Sequence, residues 1–143
     1  MNQVRKDAKL SRILVVDDNP INLKLIGEVL EFEGYAVLFA HDAEAAQLII
    51  ADLVPDLILM DIALPGMDGL TLTRLLKANE RTRATPIVAL TAFAMKGDDR
   101  KAQLAGCDAY LTKPIDTRKL PQQVEQWLEG AHLKETNAGT TQP

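Results

Sequence analysis

One segment near the middle of the chain, residues 57 to 69, reads Leu57-Ile58-Leu59-Met60-Asp61-Ile62-Ala63-Leu64-Pro65-Gly66-Met67-Asp68-Gly69. Four apolar residues lead directly to a single carboxylate, and a run rich in turn-forming residues follows. A short apolar run bounded by turn signals is typical of a buried strand in a parallel sheet. Open α/β sheets bind their ligands in the crevice outside the carboxyl ends of such strands. The segment therefore places Asp61 at a candidate binding edge.

Two other apolar runs end in polar side chains. Residues 13 to 16 lead to Asp17 and Asp18, and residues 87 to 90 lead to Thr91. Because parallel strands expose their carboxyl ends along one edge, we expect these side chains to lie near Asp61.

Strand and helix patterns alternate along the chain. Residues 36 to 40 and 109 to 111 complete five predicted strands, and five helical patterns separate or follow them. This alternation predicts an α/β fold with right-handed crossovers, a five-stranded parallel sheet and helices on both faces. We expect the flavodoxin-like, doubly wound strand order 2-1-3-4-5, in which the first and third strands meet at the topological switch point.

Capping residues mark the ends of the predicted helices. Asn19 and Asp42 are N-cap candidates, and Pro20 suits the first helical position. Glycines that can adopt a left-handed conformation are expected to end three helices: Gly34, Gly106 and Gly130. The last helix is expected to begin near Asp116 or Thr117 and to bury a stripe of Leu120, Val124, Trp127 and Leu128.

The 143 residues suffice for one domain with its own core. We expect a flexible lead-in over residues 1–11, the domain over 12–130 and a flexible polar tail over 131–143. The chain has 16 Lys and Arg against 20 Asp and Glu, a net charge of -4, and no basic stripe interleaved with aromatic residues, so direct nucleic-acid binding is not expected. No apolar run in the sequence is long enough to span a bilayer, so no membrane partner is expected either. A single cysteine, Cys107, and the lack of a signal-peptide pattern favour a cytoplasmic location.

Three aspartates at one sheet edge predict a cation site. Clustered carboxylates repel one another, and a hard divalent cation such as Mg²⁺, with Mn²⁺ as a substitute, removes that conflict. Such an ion keeps water or phosphate among its ligands, and a carboxylate such as Asp61 can attack phosphorus to form an acyl phosphate. Lys113 supplies a positive charge after the fifth strand, and Thr91 supplies a hydroxyl.

Four motifs occur in this order along the chain: the acidic pair Asp17-Asp18, the L-M-D-I-x-L-P-G-M-D-G setting of Asp61, Thr91-Ala92 and Lys113-Pro114. As an ordered set they resemble the receiver domain of the two-component response-regulator family. The resemblance covers roughly residues 12 to 129. Both single-domain, chemotaxis-regulator-like receivers and those of hybrid kinases are similar, the latter through the A-x-K-G-D run at residues 94 to 98 and the K-P-I end at 113 to 115.

The resemblance implies a phosphorelay mechanism. A sensor histidine kinase or a histidine phosphotransfer protein would donate a phosphoryl group to Asp61. Mg²⁺ would be held by Asp18, Asp61 and the backbone carbonyl of Ala63, and Asp17 would act mostly through water. Thr91 and Lys113 would then hold phosphoryl oxygens.

The resemblance also implies how the signal leaves the domain. Tyr110 would swing inward when Thr91 moves, and a surface made by the fourth helix, fifth strand and fifth helix would change its affinity for a downstream protein. The chain would be a self-phosphorylating acceptor and not a turnover enzyme. Hydrolysis should be slow, because the two positions that orient water in the family are Ala63 and Phe93 here.

Other functions remain open. An aspartyl-phosphate phosphatase also uses a strand-end carboxylate, but it needs D-x-D, whereas Asp17 and Asp18 are adjacent. A dinucleotide-binding enzyme would need glycines where this chain has two acids. A receiver-like interaction module that is never phosphorylated, and a receiver fragment of a hybrid histidine kinase, are the remaining alternatives.

Overall fold

The computed structural model describes residues 10–92 and 97–136, with strands and helices in alternation. The strands are β1 (Arg12–Val16), β2 (Ala36–Ala40), β3 (Leu57–Asp61), β4 (Ile87–Thr91) and β5 (Ala109–Thr112). The helices are α1 (Pro20–Phe32), α2 (Ala43–Asp52), α3 (Gly69–Ala78), α4 (Asp98–Ala105) and α5 (Leu120–Thr136).

The five strands form one parallel sheet in the order β2-β1-β3-β4-β5, which confirms the predicted topology. Neighbouring strands end at nearly the same level. Val16 of β1 lies opposite Met60 of β3, so Asp17 and Asp61 follow paired residues. Thr91 of β4 lies opposite Thr112 of β5, and Lys113 comes next. The register alone therefore brings the site residues to one edge.

Both faces of the sheet are covered, as the continuous apolar runs predicted. The central strands are fully buried, with 0% exposure for residues 13–16, 57–60 and 87–90. On one face, α1 and α5 pack Ile26, Leu30, Leu120 and Val124 against Ile13 and Val15 of β1. On the other face, α2 and α3 pack Ile50 and Leu72 against Leu14 and Val16. The helix α4 lies against α3 and β5.

The predicted helix starts are confirmed by hydrogen bonds. The side-chain oxygen of Asn19 accepts from the backbone N–H of Ile21 at 2.8 Å, and Asp42 does the same for Ala45 at 2.8 Å. Asp68, in the loop after β3, caps α3 by accepting from the N–H of Thr71 at 2.8 Å. Such caps satisfy backbone donors that have no partner inside the helix.

The predicted glycine terminators are confirmed at two positions and wrong at the third. Gly34 and Gly106 have φ angles of 99° and 108°, the left-handed conformation that ends a helix. Gly130 lies inside α5, which continues to Thr136. The residues after Gly130 include alanine, leucine, lysine and glutamate, which are strong helix formers, so one glycine does not end the helix.

The start of α5 also differs from the prediction. It begins at Leu120, a few residues after the predicted Asp116 or Thr117. A turn precedes it, in which the carbonyl oxygen of Asp116 accepts from the N–H groups of Lys119 and Leu120, both at 3.1 Å. The predicted stripe is confirmed: Leu120 and Val124 are fully buried, and Trp127 and Leu128 pack partly buried beside them. Among the described residues, no helix is both long and apolar enough to cross a membrane.

Candidate phosphoacceptor and metal site

Asp17, Asp18 and Asp61 converge at the carboxyl ends of β1 and β3, as the sequence predicted. One carboxylate oxygen from each lies within 4.8 Å of the others. Asp17 is 0% and Asp61 3% exposed, whereas Asp18 faces solvent. The site therefore combines two buried carboxylates with one open to water.

Three donors hold the buried carboxylate of Asp17. Its Oδ1 accepts from the backbone N–H of Asn19 at 2.9 Å. Its Oδ2 accepts from the side-chain amide of Asn22 at 3.3 Å and forms an ion pair with Lys113 Nζ at 3.0 Å. Two of these donors come from the start of α1, so the helix that follows β1 fixes the strand-end acid.

Asp61 has fewer partners and a perturbed pKa. Its Oδ1 accepts from the backbone N–H of Ala63 at 2.9 Å, and its Oδ2 pairs with Lys113 Nζ at 3.1 Å. Burial raises the pKa of Asp61 above its ordinary value, and the charge of Asp17 raises it further. The Ala63 hydrogen bond and the Lys113 charge lower the pKa without cancelling that rise.

Lys113 is the cation shared by the two buried carboxylates. Its side chain is 21% exposed, and its backbone N–H donates to the carbonyl of Thr91 at 2.7 Å, which ties β5 to the end of β4. Burial acts to lower the pKa of Lys113, but its contacts with Asp17 and Asp61 outweigh that effect, and the net pKa is raised. Lys113 is therefore positively charged at neutral pH.

The remaining predicted residues differ in position and in exposure. Thr91 is 2% exposed at the end of β4. Ala63 is exposed in the loop after β3. Tyr110 lies further from this edge, paired with Ala89 of β4; it is 42% exposed and lines a surface cavity of about 300 Å³ between α4 and the start of β5. Phe93, on which the expected slow hydrolysis partly depends, lies outside the described residues.

Two supporting residues were not predicted. Asn22 contacts Asp17 from five positions further along the chain. Gly69 packs directly on the peptide that joins Asp61 and Ile62, because a Cβ there would collide with the carbonyl oxygen of Asp61 and lie 2.8 Å from the Cα of Ile62. A glycine directly after the helix cap Asp68 was the available signal for this close approach.

The donor set suits a hard divalent cation. It consists of carboxylate oxygens, which Mg²⁺ and its relatives prefer, whereas soft metals select thiolate and imidazole ligands. When ionised, the three carboxylates carry two more negative charges than the one lysine beside them compensates. A divalent cation would neutralise them. The residues present therefore fit such an ion.

Fold and site together define a class: a doubly wound α/β domain with an acidic cation pocket and a lysine at the carboxyl edge of its sheet. The family model for the response regulator receiver domain matches residues 13–125. The chain belongs to the response regulator receiver domain family, whose members serve in two-component and phosphorelay signalling.

Similar proteins agree with this assignment. The chain is 39% identical over 119 residues to the polar-differentiation response regulator DivK of Brucella ovis, covering 83% of this chain and 97% of DivK. The crystal structure of a putative response regulator from Chloroflexus aurantiacus superposes with a TM-score of 0.81 at 32% identity, over 85% of this chain and 99% of that one.

A third relative is a receiver domain with a metal. The receiver domain of sensor histidine kinase PA1611 from Pseudomonas aeruginosa has a TM-score of 0.78 and 37% identity, over 85% of this chain and 99% of its own, and its structure has a magnesium ion coordinated in the active site cleft. Receiver domains bind a divalent metal in an acidic pocket, act as signalling phosphoacceptors and interact with kinases or phosphotransfer proteins and downstream targets.

The raised pKa of Asp61 predicts that Asp61→Asn stabilises the metal-free protein at neutral pH. A group whose pKa is higher in the folded state opposes folding once it ionises, so the penalty is absent below the unfolded pKa and appears as the pH rises through the folded pKa. Urea unfolding with a chelator present should show the variant more stable at pH 7, with the difference shrinking towards pH 4. A variant that is less stable than the parent at pH 7 would contradict this.

Proposed function

We propose that the protein is a phosphoacceptor response regulator and that Asp61 is the residue that receives the phosphoryl group. The observation that carries this proposal is a nearly buried carboxylate 3.1 Å from a lysine ammonium and within cation-binding distance of two further carboxylates. If Asp61 had only a structural role, its ion pair with Lys113 would suffice and no further carboxylates would be needed beside it. A lysine beside clustered acids suits a reaction in which more negative charge arrives.

In the proposed step, a carboxylate oxygen of Asp61 attacks the phosphorus of a phosphohistidine. A new P–O bond forms as the P–N bond breaks, and the imidazole leaves with the electron pair and is protonated by solvent. The donor is a sensor histidine kinase or a histidine phosphotransfer protein. The product on this chain is an aspartyl phosphate, an acyl phosphate of the kind that carboxylate nucleophiles form.

Mg²⁺ or Mn²⁺ would be held by Asp18, Asp61 and the backbone carbonyl of Ala63. Asp17 would act mostly through water. When bound, the ion supplies charge neutralisation for the phosphoryl oxygens. The burial of Asp17 supports an indirect role, because the exposed Asp18 is the more accessible ligand.

Thr91 and Lys113 would contact phosphoryl oxygens after transfer. Thr91 is buried at the end of β4, and its carbonyl bonds Lys113, so a movement at one affects the other. Tyr110, now outward, would turn inward, and the surface of α4, β5 and α5 would change its affinity for a downstream protein. This is a shift between two populated states.

We also propose slow self-dephosphorylation and no turnover activity. Ala63 has no polar side chain with which to orient a water molecule on the acyl phosphate. The lone thiol of Cys107, whose pKa is raised by burial, is consistent with a cytoplasmic location.

Incubation with Mg²⁺ and a small phosphodonor tests the proposal. The parent should gain the mass of one phosphoryl group, and the Asp61→Asn variant should not. The same samples, freed of donor and followed with time, should lose the group over minutes to hours. Equal gain by both proteins would move the acceptor elsewhere, and loss within seconds would refute the slow hydrolysis.

A further inference from the structure

Asp17 is fully buried, yet one of its three partners is shared with the proposed acceptor. Asn22 Nδ2 and Lys113 Nζ both contact Asp17 Oδ2, at 3.3 and 3.0 Å, while the same lysine lies 3.1 Å from Asp61 Oδ2. A buried carboxylate that loses its donors pays a large desolvation penalty. The lysine therefore cannot leave Asp17 freely unless other donors remain.

Asn22 is placed to be such a donor. It is half-buried in the first turn of α1, and that turn is fixed by the Asn19 cap and by Pro20. The backbone N–H of Asn19 holds the other oxygen of Asp17 at 2.9 Å. Both contacts come from the N-terminal end of a helix, where the partial positive charge also favours a carboxylate.

We propose that Asn22 is a positioning residue that retains Asp17 when Lys113 turns towards the phosphoryl group on Asp61. This rests on the proposed function. With Asn22 present, Asp17 keeps a donor on each oxygen after the lysine leaves. Without it, Oδ2 of Asp17 depends on Lys113, and the lysine is held back from the reacting group.

The test is the rate of phosphorylation by a small phosphodonor across a series of Mg²⁺ concentrations. Asn22→Leu keeps the size of the side chain and removes its donor, and we expect the rate at saturating Mg²⁺ to fall about tenfold, as for the loss of a hydrogen bond to a charged group. Asn22→Gln, which keeps the amide, should recover part of the rate. Gln47→Leu, an amide removed from the exposed face of α2, is the control and should match the parent.

A double-variant cycle separates this role from simple support of the metal site. In a Lys113→Met background there is no lysine to release, so adding Asn22→Leu should change the rate little. If saturating Mg²⁺ restored the rate of Asn22→Leu, Asn22 would only support the metal site, and the proposal would be overturned. It would also be overturned if the rate losses of the two single variants multiplied in the double variant.

A metal-free measurement tests the shared contact itself. Because Asn22 and Lys113 both contact Oδ2 of Asp17, Lys113→Met should shift the side-chain amide resonance of Asn22 in an NMR spectrum. An unchanged resonance would count against the proposal.

If the parent gains no phosphoryl group, the proposed function fails and the proposed role of Asn22 fails with it. If the parent is phosphorylated and Asn22→Leu equals it, only the role of Asn22 is refuted.

Discussion

Replacing Lys113 with methionine should slow phosphorylation of Asp61 by about 100-fold or more, the usual cost of removing one donor that stabilises developing charge. The same change should strengthen Mg²⁺ binding, because it removes a positive charge that contacts both Asp17 and Asp61. A misfolded variant would instead lose both phosphorylation and Mg²⁺ binding. Phosphorylation rates and calorimetric Mg²⁺ titrations measure them.

Lys113→Met should also destabilise the metal-free protein at pH 7 by about 3 kcal/mol, since it leaves two buried carboxylates without their shared cation. Added Mg²⁺ should restore more stability to the variant than to the parent. Lys119→Met, which removes an exposed lysine before α5, is the matched control and should change neither property. Weaker Mg²⁺ binding by Lys113→Met would show that the lysine does not compete with the ion.

Gly69→Ala should lower the free energy of unfolding by about 2–3 kcal/mol, near the upper end for overpacking, because the new Cβ meets backbone on the Asp61 side. Its nearest obstacles include the Asp61 carbonyl and the Cα of Ile62 at 2.8 Å, and neither is the free end of a flexible side chain. The backbone of Gly69 is not left-handed, so lack of space is the cause. Phosphorylation of the folded variant should be slowed too, since relief of the collision displaces Asp61, the proposed acceptor. Urea unfolding and phosphorylation assays provide the measurements.

Two other glycines serve as controls for Gly69→Ala. Nothing lies within 4 Å of a Cβ at Gly130, so Gly130→Ala in α5 should stabilise the protein by about 0.5–1 kcal/mol through helix propensity. Gly27→Ala would meet the ring of Phe39, a side chain 41% exposed that can move aside, so its cost should be smaller than that of Gly69→Ala. Equal costs at Gly69 and Gly27 would refute the argument from backbone contact.

The sequence was sufficient for the fold because its signals were local and mutually consistent. Apolar runs, caps at Asn19 and Asp42, and terminators at Gly34 and Gly106 each depend on neighbouring residues. Gly130 led to a wrong prediction because it was also interpreted locally, as a helix end. The strong helix formers that follow it allow α5 to continue to Thr136. A single glycine is therefore weak evidence for a helix end unless the backbone there must adopt a left-handed conformation, as it does at Gly34 and Gly106.

The sequence placed Asp17, Asp18, Asp61 and Lys113 at one edge but did not resolve their contacts. It did not show that Asp17 would be buried and Asp18 exposed, because the two are adjacent and chemically alike. Nor did it identify Asn22, whose contact depends on how α1 leaves the sheet. The role of Gly69 depends on the distance between α3 and the end of β3, which no one-dimensional pattern encodes.

The position of the acidic residues at the tips of buried strands has a consequence for protein engineering. Asp17 follows β1, in which only the first residue is exposed, and Asp61 ends β3, in which every residue is buried. In contrast, α1, α3 and α4 carry large apolar side chains that face solvent: Ile21, Leu75 and Leu104. Those outer side chains can be exchanged without moving the strands. New specificity for a binding partner could therefore be grafted onto this scaffold while its chemistry stays intact.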